Sequence, residues 1–197
     1  MTNHTSRKGL AMSSRLAFLV ISATLLLSSM SIEQAVAYTC NSQTIAADPA
    51  IPAGEAIDIQ DCTFQTKLTI TSPTSVAIGG SSSSVFENGV EINGDAATPI
   101  STFKMSSVQL TKGSIAIKDF TFSTTQNTEM VLEDITAASA ATDITMKDII
   151  IGNSDDGFGA VWTIKGVTSK KITISDSSFL AKTALSINET EVASATG

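Results

Sequence analysis

The octet Ile115-Ala-Ile117-Lys-Asp119-Phe120-Thr-Phe122 changes phase in its middle. Ile115 and Ile117 alternate with Ala116 and Lys118, the period-two pattern of a strand with one buried face. Phe120 and Phe122 alternate as well, but on the opposite parity. Both pairs point inward only if the chain bends at Asp119. Asp and Asn tolerate the left-handed backbone of such a bend better than most residues, and Gly does so freely, so the fifth position suits a corner.

The same spacing returns on both sides of the octet. Phe103, Met105, Ser107, Val108 and Leu110 form one copy; Met130, Leu132, Asp134, Ile135 and Ala137 another; Ile144, Met146, Asp148, Ile149 and Ile151 a third. Looser copies run through Trp162, Ile164, Gly166 and Val167, then Ile172, Ile174, Asp176 and Phe179, then Leu185, Ile187, Glu189 and Val192. Upstream, Ile57, Ile59, Asp61, Cys62 and Phe64 fit fully, whereas Leu68 with Ile70 and Val90 with Ile92 fit only the first half.

Burial of the four apolar side chains of one unit falls short of the entropy lost in ordering its backbone, so a unit does not fold alone. Stacked units pair their strands and share one core, which is the logic of a solenoid. The expected fold is therefore all-β, a parallel β-helix solenoid with degenerate repeats. Two units per turn give coils of about 27 residues. A β-sandwich or meander is the alternative, since strand-turn-strand octets occur there too. Its hairpin signals are sparse: Asn88-Gly89 and Asn93-Gly94 are the only Asn-Gly pairs, and they lie where the repeat is weakest.

The chain divides into three parts on this reading. Residues 1–37 have the form of a signal peptide: Arg7, Lys8 and Arg15 precede the apolar run Leu16 to Leu27, and Ala35-Val-Ala37 offers the small residues of a cleavage site, leaving Tyr38 first. The apolar run is shorter than the roughly twenty residues that span a bilayer. Residues 38–102 are expected to hold an irregular N-terminal cap and early coils, with breaks at Pro52-Ala53-Gly54, at Gly79 to Ser84 and at Asp95 to Pro99. Residues 103–197 carry the regular repeats. They either complete a short secreted protein or open a longer one, and the tail Glu191 to Gly197, without a hydrophobic anchor signal, inclines the reading to the second.

Without residues 1–37 the chain keeps 9 basic residues (12 − 3) and 18 acidic ones (19 − 1), a net charge of −9. All its bases are Lys, and the one histidine, His4, lies in the leader. That balance argues against nucleic acid and against anionic lipid as partners. Cys40 and Cys62 are the only cysteines. In an oxidising compartment they would pair as a disulfide stapling one end of the stack; the alternative is two unrelated buried thiols. Two cysteines without histidine make no zinc site.

The search for chemistry is short. Nucleophilic triads that need histidine are unavailable after residue 37. The run Asn153-Ser-Asp155-Asp156-Gly157 is the best place for paired carboxylates or a Ca2+ ion, with a solvated loop as the plainer reading; the EF-hand pattern fails at Gly157. Trp162 could stack on a sugar ring, although its alternation with Ile164 favours the core. The corner residues Asp61, Asp119, Asp134, Asp148 and Asp176 could form an acidic edge, or serve conformation alone. Asn188-Glu-Thr190 is an acceptor sequence for glycosylation.

The repeats Ile144-Thr-Met146-Lys-Asp148, Ile172-Thr-Ile174-Ser-Asp176-Ser-Ser-Phe179 and Leu185-Ser-Ile187-Asn-Glu189 resemble those of right-handed parallel β-helix proteins of the pectate-lyase-like group. With the leader and the Ser/Thr/Ala-rich style, the chain is also similar to the dispersed-gene-family surface proteins of trypanosomatids. The likeness covers about residues 57 to 192. It implies a Ca2+ site and a basic proton acceptor, usually Arg, for a lyase, or Asp with His for a polygalacturonase. Asp155 and Asp156 match at most the first element, so activity is not carried over.

The function expected is that of a non-enzymatic protein, secreted or on the extracellular face of the cell surface, adhering to a glycan or a cell-surface protein. A degenerate polysaccharide lyase or glycoside hydrolase relying on Asp155 and Asp156 is one alternative. A purely structural spacer is the other.

Overall fold

A computed structural model describes residues 37–123, 125–137, 142–152, 159–180, 183–188 and 190–192. Among them the regular structure is all strand. In chain order the strands are β1 (Ala37–Asn41), β2 (Thr44–Ile45), β3 (Ala56–Gln60), β4 (Thr63–Phe64), β5 (Leu68–Thr71), β6 (Ser75–Gly79), β7 (Ser84–Phe86), β8 (Val90–Asn93) and β9 (Thr102–Leu110). There follow β10 (Ile115–Thr121), β11 (Thr128–Ala137), β12 (Asp143–Ile151), β13 (Ala160–Lys165), β14 (Thr168–Ser169), β15 (Lys171–Ser175), β16 (Ser178–Phe179), β17 (Thr183–Asn188) and β18 (Glu191–Val192).

These strands form two parallel sheets, and the chain passes from one to the other and back. The larger sheet runs β1-β3-β6-β9-β11-β13-β17, with the short strands β2, β4, β7, β14 and β18 beside that path. The smaller runs β5-β8-β10-β12-β15, with β16 on β12. From β3 onward, neighbouring strands of the larger sheet are separated by an excursion through the smaller one, the long connection that parallel pairing requires, whereas β1 with β3 and β2 with β4 are linked without leaving the larger sheet. The steps from Val76 to Phe103 and from Phe103 to Met130 are 27 residues each (103 − 76 and 130 − 103). No hairpin joins the described strands. Asn88-Gly89 makes a bend before β8 instead, where the Asn88 side-chain amide donates to the Gln65 carbonyl at 2.6 Å.

The bend inferred at position five is present at every described corner of the repeat. Asp61, Ser107, Asp119, Asp134, Asp148 and Asp176 have φ between 52° and 61°, and Gly166 has φ 60°. After the bend the parity reverses as required: Ile115, Ile117, Phe120 and Phe122 are all buried. The octet faces Val90 and Ile92 of β8 on one side and Ile144 and Met146 of β12 on the other. The inward residues of both sheets belong to one hydrophobic core.

β1, β3, β6 and β9 pair in unbroken parallel succession, and β6 places Val76 and Ile78 in the core. Strands up to Asn93 have two to five residues, β9 to β12 have seven to ten, and from β13 on they shorten again to two to six. Cys40 and Cys62 form a disulfide with their Cα atoms 6.4 Å apart, tying β1 to the turn after β3. Closing a loop of this span stabilises the folded chain by about 3 kcal/mol.

Candidate functional site

The parallel register carries outward side chains into rows that cross several strands. Thr102 of β9, Glu129 of β11 and Val161 of β13 stand side by side in this way. At its upstream end the row meets Asn127 and Thr128, at the start of β11, and Gly159, just before β13. There the Asn127 side-chain oxygen accepts the Gly159 N–H at 2.9 Å, and the Gly159 carbonyl accepts the Thr128 N–H at 3.0 Å. Together they enclose an open cleft of about 500 Å³, lined by Thr102, Asn127, Thr128, Glu129, Gly159 and Val161. It offers a hydroxyl, an amide, an exposed carboxylate and an apolar wall formed by Val161, which is 43% exposed. Such a surface can bind a polyhydroxylated ligand by hydrogen bonds and a sugar face by contact.

Thr102, Glu129 and Val161 each directly precede the first apolar residue of a repeat copy, Phe103, Met130 and Trp162, and the parallel register sets these three copies side by side. Asp155 and Asp156 stand four and three residues before Gly159 in the chain, and they lie outside the described residues. Among the described residues no three His, Cys, Asp or Glu side chains converge as an ion site.

The other candidates are placed plainly. Trp162 is completely buried, its ring stacked on that of Phe179 at 4.9 Å between centroids. A role in stacking on sugar is therefore corrected: both its neighbours in register and Phe179 occupy the space a sugar would need, and its indole nitrogen is buried with no hydrogen-bond partner among the described residues. Asn188 is exposed at the end of β17, its amide donating to the Ser186 hydroxyl at 2.5 Å, and the Thr190 hydroxyl donates to the Asn188 carbonyl at 3.1 Å.

Asp61 accepts the Ser82 N–H at 2.7 Å and the Ser81 hydroxyl at 3.3 Å, in the turn after β6. Gly80 sits so close that a Cβ there would approach the Asp61 carboxylate to 2.0 Å. On the smaller sheet Asp119, Asp148 and Asp176 follow the register-matched residues Lys118, Lys147 and Ser175. Lys147 lies 3.4 Å from Asp148 and 3.8 Å from Asp176, so this acidic edge carries its own counter-ion.

A second cluster escaped the sequence reading. Glu91 of β8 receives Lys67 on one side and Lys118, at 2.8 Å, on the other. Hydrogen bonds from Lys118 and then from Lys67 hold its carboxyl down to about 2, well below the usual range, against a smaller opposing effect of burial. The Glu91 carboxylate in turn raises the Lys118 ammonium. Far apart in sequence, these three meet because β5, β8 and β10 are successive strands.

No helix among the described residues is long and apolar enough to cross a membrane. Comparison with protein-family models, with curated proteins and with solved structures finds no match for this chain.

Proposed function

We propose that the chain is a parallel β-helix solenoid of the pectate-lyase-like kind, secreted or held on the extracellular face of a cell, whose task is binding without turnover. The observation that carries this reading is the outward row Thr102-Glu129-Val161 with its flanking cleft: a polar, open surface on a rigid sheet. The alternation of the chain between two parallel sheets supports the solenoid. The leader-like N-terminus and the Cys40–Cys62 disulfide support export, since disulfides persist in oxidising compartments. Exposure of Asn188 on the outer face of β17 suits a glycan there.

The favoured ligand is an extracellular glycan of low negative charge, because the cleft carries Glu129 on a chain of net charge −9 (9 − 18) after residue 37. Binding of the secreted protein to immobilised extracellular glycans tests this, with Glu129→Ala and Asn127→Ala as variants. Each variant is expected to lose about tenfold or more in affinity, the size of one charged or well-placed hydrogen bond. Absence of any binding would leave the spacer reading in its place.

A polysaccharide-cleaving enzyme is the second reading, favoured by one fact: Asp155 and Asp156 stand four and three residues before Gly159 of the cleft. A product released from acidic polysaccharide, and lost on Asp155→Ala, would replace the binding reading with this one.

A further inference from the structure

The cleft across β9, β11 and β13 has its backbone donors engaged and a carboxylate left over. The Gly159 N–H donates to the Asn127 side-chain oxygen at 2.9 Å, the Thr128 N–H to the Gly159 carbonyl at 3.0 Å, and the Glu129 N–H to the Ser101 carbonyl at 2.9 Å. None of these three amides is left for a ligand. The side-chain donors of the lining are threonine hydroxyls and the Asn127 amide, and no Lys is among the lining residues.

Along the same sheet face other carboxylates are answered. Glu133 pairs with Lys165 at 3.2 Å, and Asp58 accepts the Gln60 side-chain amide at 2.9 Å. The Glu129 carboxylate has neither an ion pair nor a hydrogen bond among the described residues, and Lys104 of the adjoining row makes none with it. Glu129 is exposed, and the register sets it between Thr102 and Val161 in the cleft.

An ammonium group suits this surface, because it brings a positive charge with three donors and no acceptor. A carboxylated, sulfated or phosphorylated sugar meets the opposite: Glu129 repels it, and no base of the lining answers it. An amine on a sugar ring also suits the cleft better than one on a lysine side chain. It is fixed beside hydroxyls that Thr102 and Asn127 can bond, its ring offers a face to Val161, and holding it still costs less rotamer entropy.

We infer that the cleft selects glycans carrying free amino groups, with the ammonium bound to Glu129 and the sugar ring against Val161. This rests on the binding reading given above and names the glycans to which that reading applies.

Isothermal titration calorimetry of the secreted protein with a β-1,4-linked glucosamine trisaccharide, and with its fully N-acetylated counterpart, tests it in mildly acidic buffer, where the sugar amine carries its proton. The free-amine trisaccharide should bind about tenfold or more tightly than the acetylated one, the size of one charge-assisted hydrogen bond. Glu129→Gln should erase that preference. Asp58→Asn removes the same charge from β3, three strands away in the sheet, and should leave the preference intact. Circular dichroism matching the parent verifies that both variants are folded. Equal binding of the two trisaccharides overturns the inference while the binding reading stands. A preference that survives Glu129→Gln overturns it as well, and so does an equal loss on Asp58→Asn, which would make the attraction a matter of net charge. Binding of neither trisaccharide also overturns it, and the immobilised glycans then decide the broader reading on their own. A tri-lysine peptide that binds more tightly than the amino trisaccharide overturns it by assigning the cleft to basic peptides.

Discussion

Leu185 stands in register with Trp162 in the β13–β17 pair, yet Trp162 is sealed from solvent while Leu185 is about half exposed. One step along the sheet separates an interior from an edge. Trp162→Ala should therefore cost about 3–5 kcal/mol, the cost of emptying a large aromatic site. Leu185→Ser should cost about 1 kcal/mol or less. Urea titration followed by fluorescence measures the second change well, because Trp162 is the only tryptophan. Its emission should be that of a buried indole and should shift to the red on unfolding.

The corner at Asp119 has φ 61°. A β-branched residue there meets the steric cost of the left-handed region, so Asp119→Val should destabilise by about 1–2 kcal/mol. Asp119→Gly should be much milder, since glycine enters that region freely. Equilibrium denaturation midpoints of the two variants give the order directly. If Val were tolerated as well as Gly, position five would not be a left-handed corner.

Glu91 makes stability sensitive to acid in a defined window. Its carboxyl is depressed from 4.5 to about 2 in the folded chain by Lys118 and Lys67. A depressed carboxyl contributes in full above its unfolded value and loses that contribution as pH falls through the folded one. Glu91→Gln should cost about 1 kcal/mol at neutral pH, the upper range for a solvent-facing ion pair. The difference between variant and parent should shrink between pH 4.5 and about 2, the window set by the two values of this group. Thermal melting across that range shows whether the gap closes.

Much of this architecture was legible because the signal is local. A parity change around Asp61, Asp119, Asp134, Asp148 or Asp176 is visible within eight residues, and each of these does bend the chain. Ser42, Ser72 and Ser83 take the same conformation, with φ of 50°, 49° and 74°. They passed unnoticed because serine is common in this chain and the apolar pairs that follow them are incomplete. β6 was hidden for a related reason: Val76 and Ile78 run directly into Gly79-Gly80, with no second apolar pair.

The cleft was legible in part: Thr102, Glu129 and Val161 each stand one position before Phe103, Met130 and Trp162, whereas Asn127 and Gly159 belong to no repeat position. Lys67, Glu91 and Lys118 lie at unlike repeat positions, and only the pairing of β5, β8 and β10 brings them together. Trp162 shows the converse: its alternation with Ile164 pointed to the core, and the packing of Phe179 against it gives the physical reason.

The central claim is that consecutive passes of the chain lie on one another in parallel. Thr145 and Thr173 provide the most direct test, because they are partners on β12 and β15 with side chains outside the core. Strands paired in this way lie about 4.8 Å apart, within reach of a disulfide. In a Thr145→Cys, Thr173→Cys variant, mild oxidation should form an intramolecular bond, read by peptide mass mapping, with the native Cys40–Cys62 bond intact. Two free thiols at these positions in the folded, oxidised protein would contradict the parallel register.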